Sequence, residues 1–428
     1  MGRVNALSPA GPSGAPDPSP SSRLHPSGED PIGSFLALRG PEGAELLAGL
    51  RSYDPATELA TATRLRRTHP AALVSAALGQ ARLRQRAVAK FGAEDAHRMF
   101  FTPDGVEQAT RTSVAGHRAR RFADTGVRSV ADLCCGIGGD AIALARAGIS
   151  VLAVDRDPLT AEVARANAAA LGLEALIEVR CADVTEIDTS PYDAVFVDPA
   201  RRGGRGRIFD PEAYSPPLSW ATAAALKAPR AALKIAPGVP HEAIGPQAEA
   251  EWISDGGAVK EAVLWFGEGF ESGSYRATLL PSGATLSAPA ALPAPPVGPV
   301  GRYLYEPDGA VIRAHLVASI VERCHGRLFD EMIAYVTSDE LYDSPYTAGY
   351  EITDQLPFNM KRLKALLRER EVGVLTVKKR GSAVEPEELR RKMRLRGPNT
   401  ATVFLTRVAD APTMLVGRPV TGPEAGLG

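Results

Sequence analysis

The stretch that decides the fold is Val130-Ala-Asp-Leu-Cys-Cys-Gly-Ile-Gly-Gly-Asp-Ala-Ile-Ala-Leu-Ala-Arg-Ala-Gly148. An apolar run over 130–133 enters a turn carrying Gly136, Gly138 and Gly139, and a helical pattern opens at about Asp140. Glycines at such a turn let the backbone bend tightly and approach a ligand with no Cβ in the way. Outward from it, apolar runs recur at 151–154, 177–179, 194–197 and 231–235, with helical patterns at 140–147, 159–171 and 218–226. That alternation predicts an α/β domain, a parallel sheet with helices on its faces. Runs at 259–266 and 275–280 are expected to close the sheet as an antiparallel pair.

Composition bounds the rest. The chain has 428 residues, 44% hydrophobic and 23% charged, enough for two or three globular domains. Lys and Arg (49) nearly cancel Asp and Glu (50), so any nucleic-acid surface must be local. Four cysteines, Cys134, Cys135, Cys181 and Cys324, form no C-x-x-C pair, and the seven histidines are scattered, so neither a disulfide framework nor a metal site is expected. No apolar stretch reaches the roughly 18 residues of a membrane span, and the expectation is a cytoplasmic protein.

Acids stand at four successive strand ends: Asp132, Asp155, Asp183 in Cys181-Ala-Asp183, and Asp198 in Asp198-Pro199-Ala200-Arg201-Arg202. Asp155 is placed to accept the hydroxyls of a ribose, and Asp183 to accept from an adenine amino group. Two ligands fit. Gly136-x-Gly138-x-x-Ala141 satisfies the dinucleotide fingerprint. A carboxylate at Asp132, however, repels a pyrophosphate and suits a ligand with an amino group and a sulfonium. The reading therefore favours S-adenosyl-L-methionine (SAM) over a nicotinamide cofactor, held by Asp132, Cys134, Gly136, Gly138, Gly139, Asp155 and Asp183. Methyl transfer from a sulfonium is an in-line displacement in which the enzyme positions the acceptor. Asp198 and the carbonyl of Pro199 are the candidates for positioning the acceptor. An acid at a strand end also serves as a helix cap, but Pro199 favours an exposed turn.

Residues 98–240 resemble a class I SAM-dependent methyltransferase of the RNA-modifying kind. They are similar to the trimethylguanosine synthase family, which methylates the exocyclic N2 of guanine. The resemblance rests on Phe101-Thr102-Pro103-Asp104, similar to that family's F-x-TPE element, on Asp132-x-x-Cys135-Gly136-x-Gly138-Gly139, and on Asp155 and Asp183. It implies a Rossmann-like class I methyltransferase sheet, with Thr102 and Pro103 helping to close over SAM. Residues 301–408 resemble the THUMP-like domain found at the end of some bacterial methyltransferases, which implies a role in holding RNA. Amine-methylating families carry a second Pro and then an aromatic residue after the first Pro. Ala200 and Arg201 stand there in this chain, and a guanidinium can stack on a base plane. Asp-Pro-Ala-Arg also resembles the motif of uracil-C5 RNA methyltransferases. Those need a cysteine nucleophile in a turn after the next strand, and 234–238, Lys-Ile-Ala-Pro-Gly, has none.

Charge supplies the remaining candidates. Arg201, Arg202, Arg205 and Arg207 alternate with glycines in a loop that suits a phosphate-bearing substrate or is simply solvated. Between residues 361 and 396 there are 13 Lys/Arg against 5 Asp/Glu. Lys378, Lys379 and Arg380, with Arg391 and Lys392, are expected to form an RNA-positioning surface. Lys234 either neutralises phosphate or anchors the fifth strand. Arginines 64 to 86 read as a solvated helix face. The expected organisation is a disordered tail (1–33), an N-terminal helical region (34–123), a SAM-dependent methyltransferase domain (124–280), a Pro-rich linker (281–300), a smaller THUMP-like α+β domain (301–408) and a second tail (409–428). The function expected is methylation of a base in RNA, an exocyclic amine favoured. A non-catalytic RNA-binding protein with a degenerate fold, and a methyltransferase for a small molecule or protein, stay open.

Overall fold

The computed structural model describes residues 30–200, 202–203, 206–207 and 211–420; at 202, 203, 206, 207 and 211 it describes the backbone. The chain divides into two compact units, one up to Arg82 and one from Leu83. The first holds α1 (Pro31–Arg39), α2 (Pro41–Gly49), α3 (Glu58–Leu65) and the start of α4 (Ala71–Arg98). Pro31, expected at the end of an unstructured tail, instead opens α1. Asp30 caps that helix, its Oδ1 accepting from the Ile32 N–H at 3.1 Å, and proline at the first turn has no N–H to satisfy. Phe35, Leu46, Leu47, Leu73, Val74, Ala77 and Leu78 are buried, as their three- and four-residue spacing dictates.

In the second unit α4 is interrupted at Gly92, where φ is 77° and ψ 162°. Arg84, read as part of a solvated face, is buried, its Nε donating to the Met99 carbonyl at 2.9 Å. Next come α5 (Pro103–Gln108), α6 (Thr112–Asp124), β1 (Ser129–Leu133), α7 (Gly139–Arg146), β2 (Ser150–Asp155), α8 (Pro158–Leu171), β3 (Ile177–Cys181) and β4 (Ala194–Val197). A two-residue hairpin, β5 (Arg202–Gly203) and β6 (Gly206–Arg207), precedes α9 (Leu218–Lys227) and β7 (Arg230–Ile235). Then follow β8 (Glu249–Asp255), β9 (Ala258–Gly267), β10 (Ser274–Leu280) and β11 (Ala284–Pro289). These strands form one nine-stranded sheet in the order β11-β10-β8-β9-β7-β4-β1-β2-β3. β3, β2, β1, β4 and β7 run parallel. The order reverses between β1 and β4, and in open α/β sheets such a reversal leaves a crevice at the carboxyl ends of the strands.

Three departures from expectation extend or cover the sheet. β8 was not anticipated; it lies between β9 and β10, antiparallel to β9 and parallel to β10, so the two closing runs do not pair with each other. The segment read as a linker contains β11, antiparallel to β10. The C-terminal part is not a tethered, separate domain either. β12 (Tyr303–Pro307), α10 (Gly309–Arg313) and α11 (Val317–Arg323) contribute Tyr305, Val311 and Ile320 to the same core as Trp252, Leu264 and Ala277 of the first sheet. Apolar area on a sheet face has to be buried against another layer, and α10 lies on that face.

The second sheet adds β13 (Arg327–Leu328), β14 (Val336–Ser338), β15 (Thr347–Pro357), β16 (Val372–Lys379), β17 (Asn399–Val408) and β18 (Ala411–Pro419) to β12. Its order is β13-β14-β12-β15-β18-β17-β16. Residues 411–419, read as tail, are thus an interior strand between β15 and β17. Helices α12 (Met360–Glu369) and α13 (Pro386–Met393) bury Leu363, Leu367, Leu389 and Met393 with Val403 and Met414 of this sheet. No helix among the described residues is long and apolar enough to cross a membrane.

Candidate active site

The turn after β1 concentrates backbone strain. Cys134 (φ 67°), Gly136 (57°) and Gly138 (86°) all take left-handed conformations, which glycine adopts at little cost and cysteine does not. A Cβ on Gly136 would meet nothing within 4 Å, so the conformation, together with open space beside the chain, explains the glycine. The Gly138 N–H donates to the Cys135 carbonyl at 3.0 Å, and α7 starts at Gly139.

Asp132 lies within β1 at 0% exposure, and neither carboxylate oxygen has a hydrogen-bond partner among the described residues. Burial, then the charges of Asp140 and Asp198, push its pKa well above the usual carboxylate range, against Arg118 and Lys234. An unpartnered buried carboxylate is costly unless a ligand satisfies it. Asp155 ends β2 with Oδ2 accepting from the Gly136 N–H at 3.0 Å and Oδ1 from the Asp157 N–H at 3.0 Å. Burial raises its pKa despite those bonds. Asp183 follows β3, exposed, and accepts from the hydroxyl and N–H of Thr185 at 2.7 and 2.9 Å, which lowers its pKa. A cavity of about 250 Å³ brings together Cys134, Asp155, Asp183, Ala200, Ser215 and Pro217. A larger hollow of about 400 Å³, lined by Arg121, Arg230 and Glu268, lies by the start of β7, at the opposite end of the strands. The thiols of Cys134 and Cys135 are pushed up by burial, so neither is a thiolate nucleophile.

Asp198 follows β4, its N–H bonded to the Leu133 carbonyl at 3.1 Å, which sets it beside the glycine turn. Its Oδ2 accepts from Lys234 Nζ at 2.6 Å; Oδ1 has no hydrogen bond among the described residues. Lys234, left undecided from sequence, is therefore an ion-pair partner of the acid. Burial alone would lower the pKa of Lys234, but the Asp198 and Glu261 charges raise it overall. Pro199 is buried, and Ala200 pairs with Ser215 through two backbone hydrogen bonds of 2.9 and 3.1 Å. That pairing closes the stem of the Arg/Gly loop. Arg201 and Arg205 lie outside the described residues, and the side chains of Arg202 and Arg207 do as well.

The pre-domain element packs on the turn. Thr102 caps α5, its Oγ1 accepting from the Gly105 N–H at 2.9 Å; Pro103 is the first helical residue, and Gly105 faces Ile137. Asn167 of α8 fastens the two: it accepts from Phe100 N–H at 2.6 Å and donates to the carbonyls of Phe100 (3.0 Å) and Ile137 (2.9 Å). Below lies Arg118, buried in α6, ion-paired with Asp140 and Glu261 and 4.4 Å from the Phe196 ring. Burial alone would lower its pKa; Asp140, Glu261 and Asp198 more than reverse that. Sequence reasoning missed Arg118, Asn167 and Glu261. The signal for Arg118 was its place on the apolar stripe Val114, Ala115, Ala119, Phe122. For Lys234 and Glu261 it was a charge inside an apolar strand.

The basic residues of the second sheet are less free than their number implies. Lys378 pairs with Glu306 and lies 5.4 Å from the Tyr350 ring. Arg380 lies 3.6 Å from Glu306 and 5.0 Å from the Tyr335 ring. Lys379 and Lys392 pair with Glu385 and Glu388. Arg391 is exposed with no ion pair among the described residues, and so are Lys361, Arg362, Arg368, Arg394 and Arg396. No group of three or more His, Cys, Asp or Glu among the described residues is arranged to hold a metal ion.

Comparison with known proteins fits this geometry. A methyltransferase-domain family matches residues 130–200, a THUMP domain-like family residues 347–419, and a domain of unknown function residues 31–87. Two Mycobacterium tuberculosis proteins, from strains CDC 1551 and H37Rv, are described as uncharacterized S-adenosylmethionine-dependent methyltransferases. Each is 37% identical over 336 residues, covering 76% of this chain and 90% of its own. The crystal structure of a Porphyromonas gingivalis W83 protein assigned as a methyltransferase superposes with TM-score 0.72 at 21% identity, over 88% of this chain and 99% of that one. The fold is therefore Rossmann-like, class I. SAM suits the residues present: the orphaned Asp132 faces a need for a cation, and the glycine turn leaves space for close approach. The chain belongs to the family of SAM-dependent methyltransferases that includes these mycobacterial proteins.

Proposed function

We propose that the chain methylates an exocyclic amine of a base in RNA, a reaction of the trimethylguanosine synthase kind. When bound, SAM supplies an electrophilic methyl group on a sulfonium. Asp132 accepts from its amino group, Asp155 from the ribose hydroxyls and Asp183 from the adenine amine, while Thr102 and Pro103 cover the glycine turn formed by Cys134, Gly136, Gly138 and Gly139. Oδ1 of Asp198 and the Pro199 carbonyl accept the N–H groups of the acceptor, which aims the nitrogen lone pair at the methyl carbon. As the C–N bond forms, the methyl carbon's bond to sulfur breaks and its electron pair stays on sulfur, which leaves as a neutral thioether. The nitrogen's positive charge is stabilised by the Asp198 carboxylate, and the proton it sheds passes by way of Oδ1 to solvent. By sequence position Arg201 stands where amine-methylating families carry the stacking aromatic, a residue type that suits a base plane, and Arg202, Arg205 and Arg207 add positive charge of the kind that suits phosphates.

The observation that carries this reading is Asp198 itself, at the end of β4, beside the glycine turn, with one oxygen held by Lys234 and the other unengaged among the described residues. The THUMP domain-like match and the unpaired cations of α12 and α13 support RNA as the substrate. The test is transfer of a labelled methyl group from SAM to RNA, protein and small-molecule fractions, with Asp198→Ala alongside. Label in RNA that vanishes in the variant, followed by digestion to an N-methylated nucleoside, is the expected outcome. Label confined to protein or small molecules refutes the RNA assignment.

A further inference from the structure

Lys234 occupies an unusual place. It comes from the interior of β7, its side chain is 5% exposed, and besides Asp198 its Nζ donates to Thr110 Oγ1 at 2.9 Å. The strand register explains the first contact, since Val197 of β4 pairs with Leu233 of β7 and brings the next residue of each side by side. Thr110, itself buried, belongs to the turn between α5 and α6. Residues 100–110 thus run as a strap over the glycine turn, held at one end by Asn167 through Phe100 and at the other by Lys234 through Thr110. Lys90 adds a third tie, donating to the carbonyls of Glu107 at 2.6 Å and Ala109 at 2.8 Å. A buried ammonium gives up its hydration, and an apolar residue would anchor β7 at lower cost.

We propose that Lys234 is a positioning residue that joins the two halves of the site. By holding Oδ2 of Asp198 it leaves Oδ1 as the oxygen presented to the methyl acceptor, and by holding Thr110 it fastens the strap that covers the cofactor turn. This rests on the reading of Asp198 given above. Rotation of an unheld carboxylate misplaces the acceptor, and a misplacement of ~1 Å costs about 10²-fold in rate.

The experiment compares wild type, Lys234→Met, Lys234→Arg and Asp198→Ala. Methyl transfer is followed to unmodified ribosomal and transfer RNA made by in-vitro transcription, SAM affinity by calorimetry, and the strap by amide hydrogen exchange over residues 100–110. In Lys234→Met, kcat falls about 10²-fold with KM for RNA little changed, and exchange over 100–110 accelerates. Lys234→Arg, which keeps the charge with a broader head, recovers part of kcat and slows the exchange again. Should the Met variant fail to fold, the Arg variant decides, with kcat below and exchange over 100–110 above the wild-type values. Unchanged exchange over 100–110 in a folded variant overturns the tie to the strap, and this readout needs no RNA. Wild-type kcat in Lys234→Met while Asp198→Ala is dead overturns the positioning role alone. Full activity in Asp198→Ala instead removes the reading on which it stands.

Discussion

Replacing Asp132 by Asn separates what the buried carboxylate costs the empty protein from what it contributes once a ligand is bound. Both carboxylate oxygens are fully buried without partners, and burial with the nearby Asp140 and Asp198 charges raises the pKa. For a carboxyl so raised, the stabilising contribution of the bound proton is complete below the ordinary carboxylate range. It is lost as pH rises through the raised folded value. Asn is isosteric and does not titrate, so the ligand-free variant is more stable than wild type, by a margin that grows with pH and then levels off. Asn keeps an unsatisfied acceptor of its own, so the margin is the extra cost of burying the ionised rather than the neutral group, taken as about 1–3 kcal/mol. With an unfolding entropy of ~2 cal/mol/K per residue over the roughly 350 residues of the second unit, that margin is a rise in Tm of about 1.5–4 °C. SAM affinity moves the other way. Losing a hydrogen bond between charged groups, about 1.5–3 kcal/mol, weakens binding about 10- to 150-fold. Because the ammonium needs the ionised carboxylate, wild-type affinity rises with pH through the Asp132 pKa and binding releases a proton; the variant shows neither. Calorimetry at several pH values, in buffers of different ionisation enthalpy, reads both effects, and thermal unfolding reads the first. A variant that is less stable than wild type yet binds SAM equally well would refute the placement of the ligand cation at Asp132.

The same geometry makes other outcomes specific. Asp155→Ala should weaken SAM binding about 10- to 100-fold, since it removes a charged acceptor for the ribose and frees the Gly136 N–H; an unchanged dissociation constant contradicts the assignment. Arg118→Met leaves Asp140 and Glu261 buried without their cation, a loss of about 3–5 kcal/mol. Adding Glu261→Gln should recover part of it in thermal unfolding, and strictly additive losses would show that the two groups are not coupled. Removal of residues 301–428 should expose the sheet face under α10 and α11 and give an aggregating chain, seen by light scattering, because those helices share the core of the first sheet. The role of the basic surface is therefore better read from Arg391→Glu with Arg396→Glu. These reversals should lower RNA affinity and flatten its salt dependence, whereas an unaltered salt slope excludes that face.

What was legible in the sequence was what local physics enforces. The left-handed backbone after β1 demands glycines in a fixed pattern. The parallel strands demand continuous apolar runs between helices, and a proline after Asp198 breaks the chain at the strand end. From these the parallel strands, the cofactor turn and the acids at its rim could be read, while Arg118, on the 3.6-residue stripe of α6, went unread. Partnership was not legible, because it depends on which strands lie side by side. Arg118 meets Glu261 across 143 residues, Lys234 meets Asp198 across 36 and Thr110 across 124, and Asn167 reaches Phe100 across 67. A run of lysines and arginines likewise reads as a free surface until the fold brings Glu306 against Lys378 and Arg380. Residues 284–289 of the expected linker and 411–419 of the expected tail are strands for a related reason, since an open sheet edge and an uncovered apolar face recruit whatever chain is near. Sequence alone determined the parallel strands of the sheet, the glycine turn and the class of cofactor. The tertiary structure alone decided which buried charges compensate one another, because a charge taken out of water is stable only beside its partner, and that partner is chosen by the packing of distant segments.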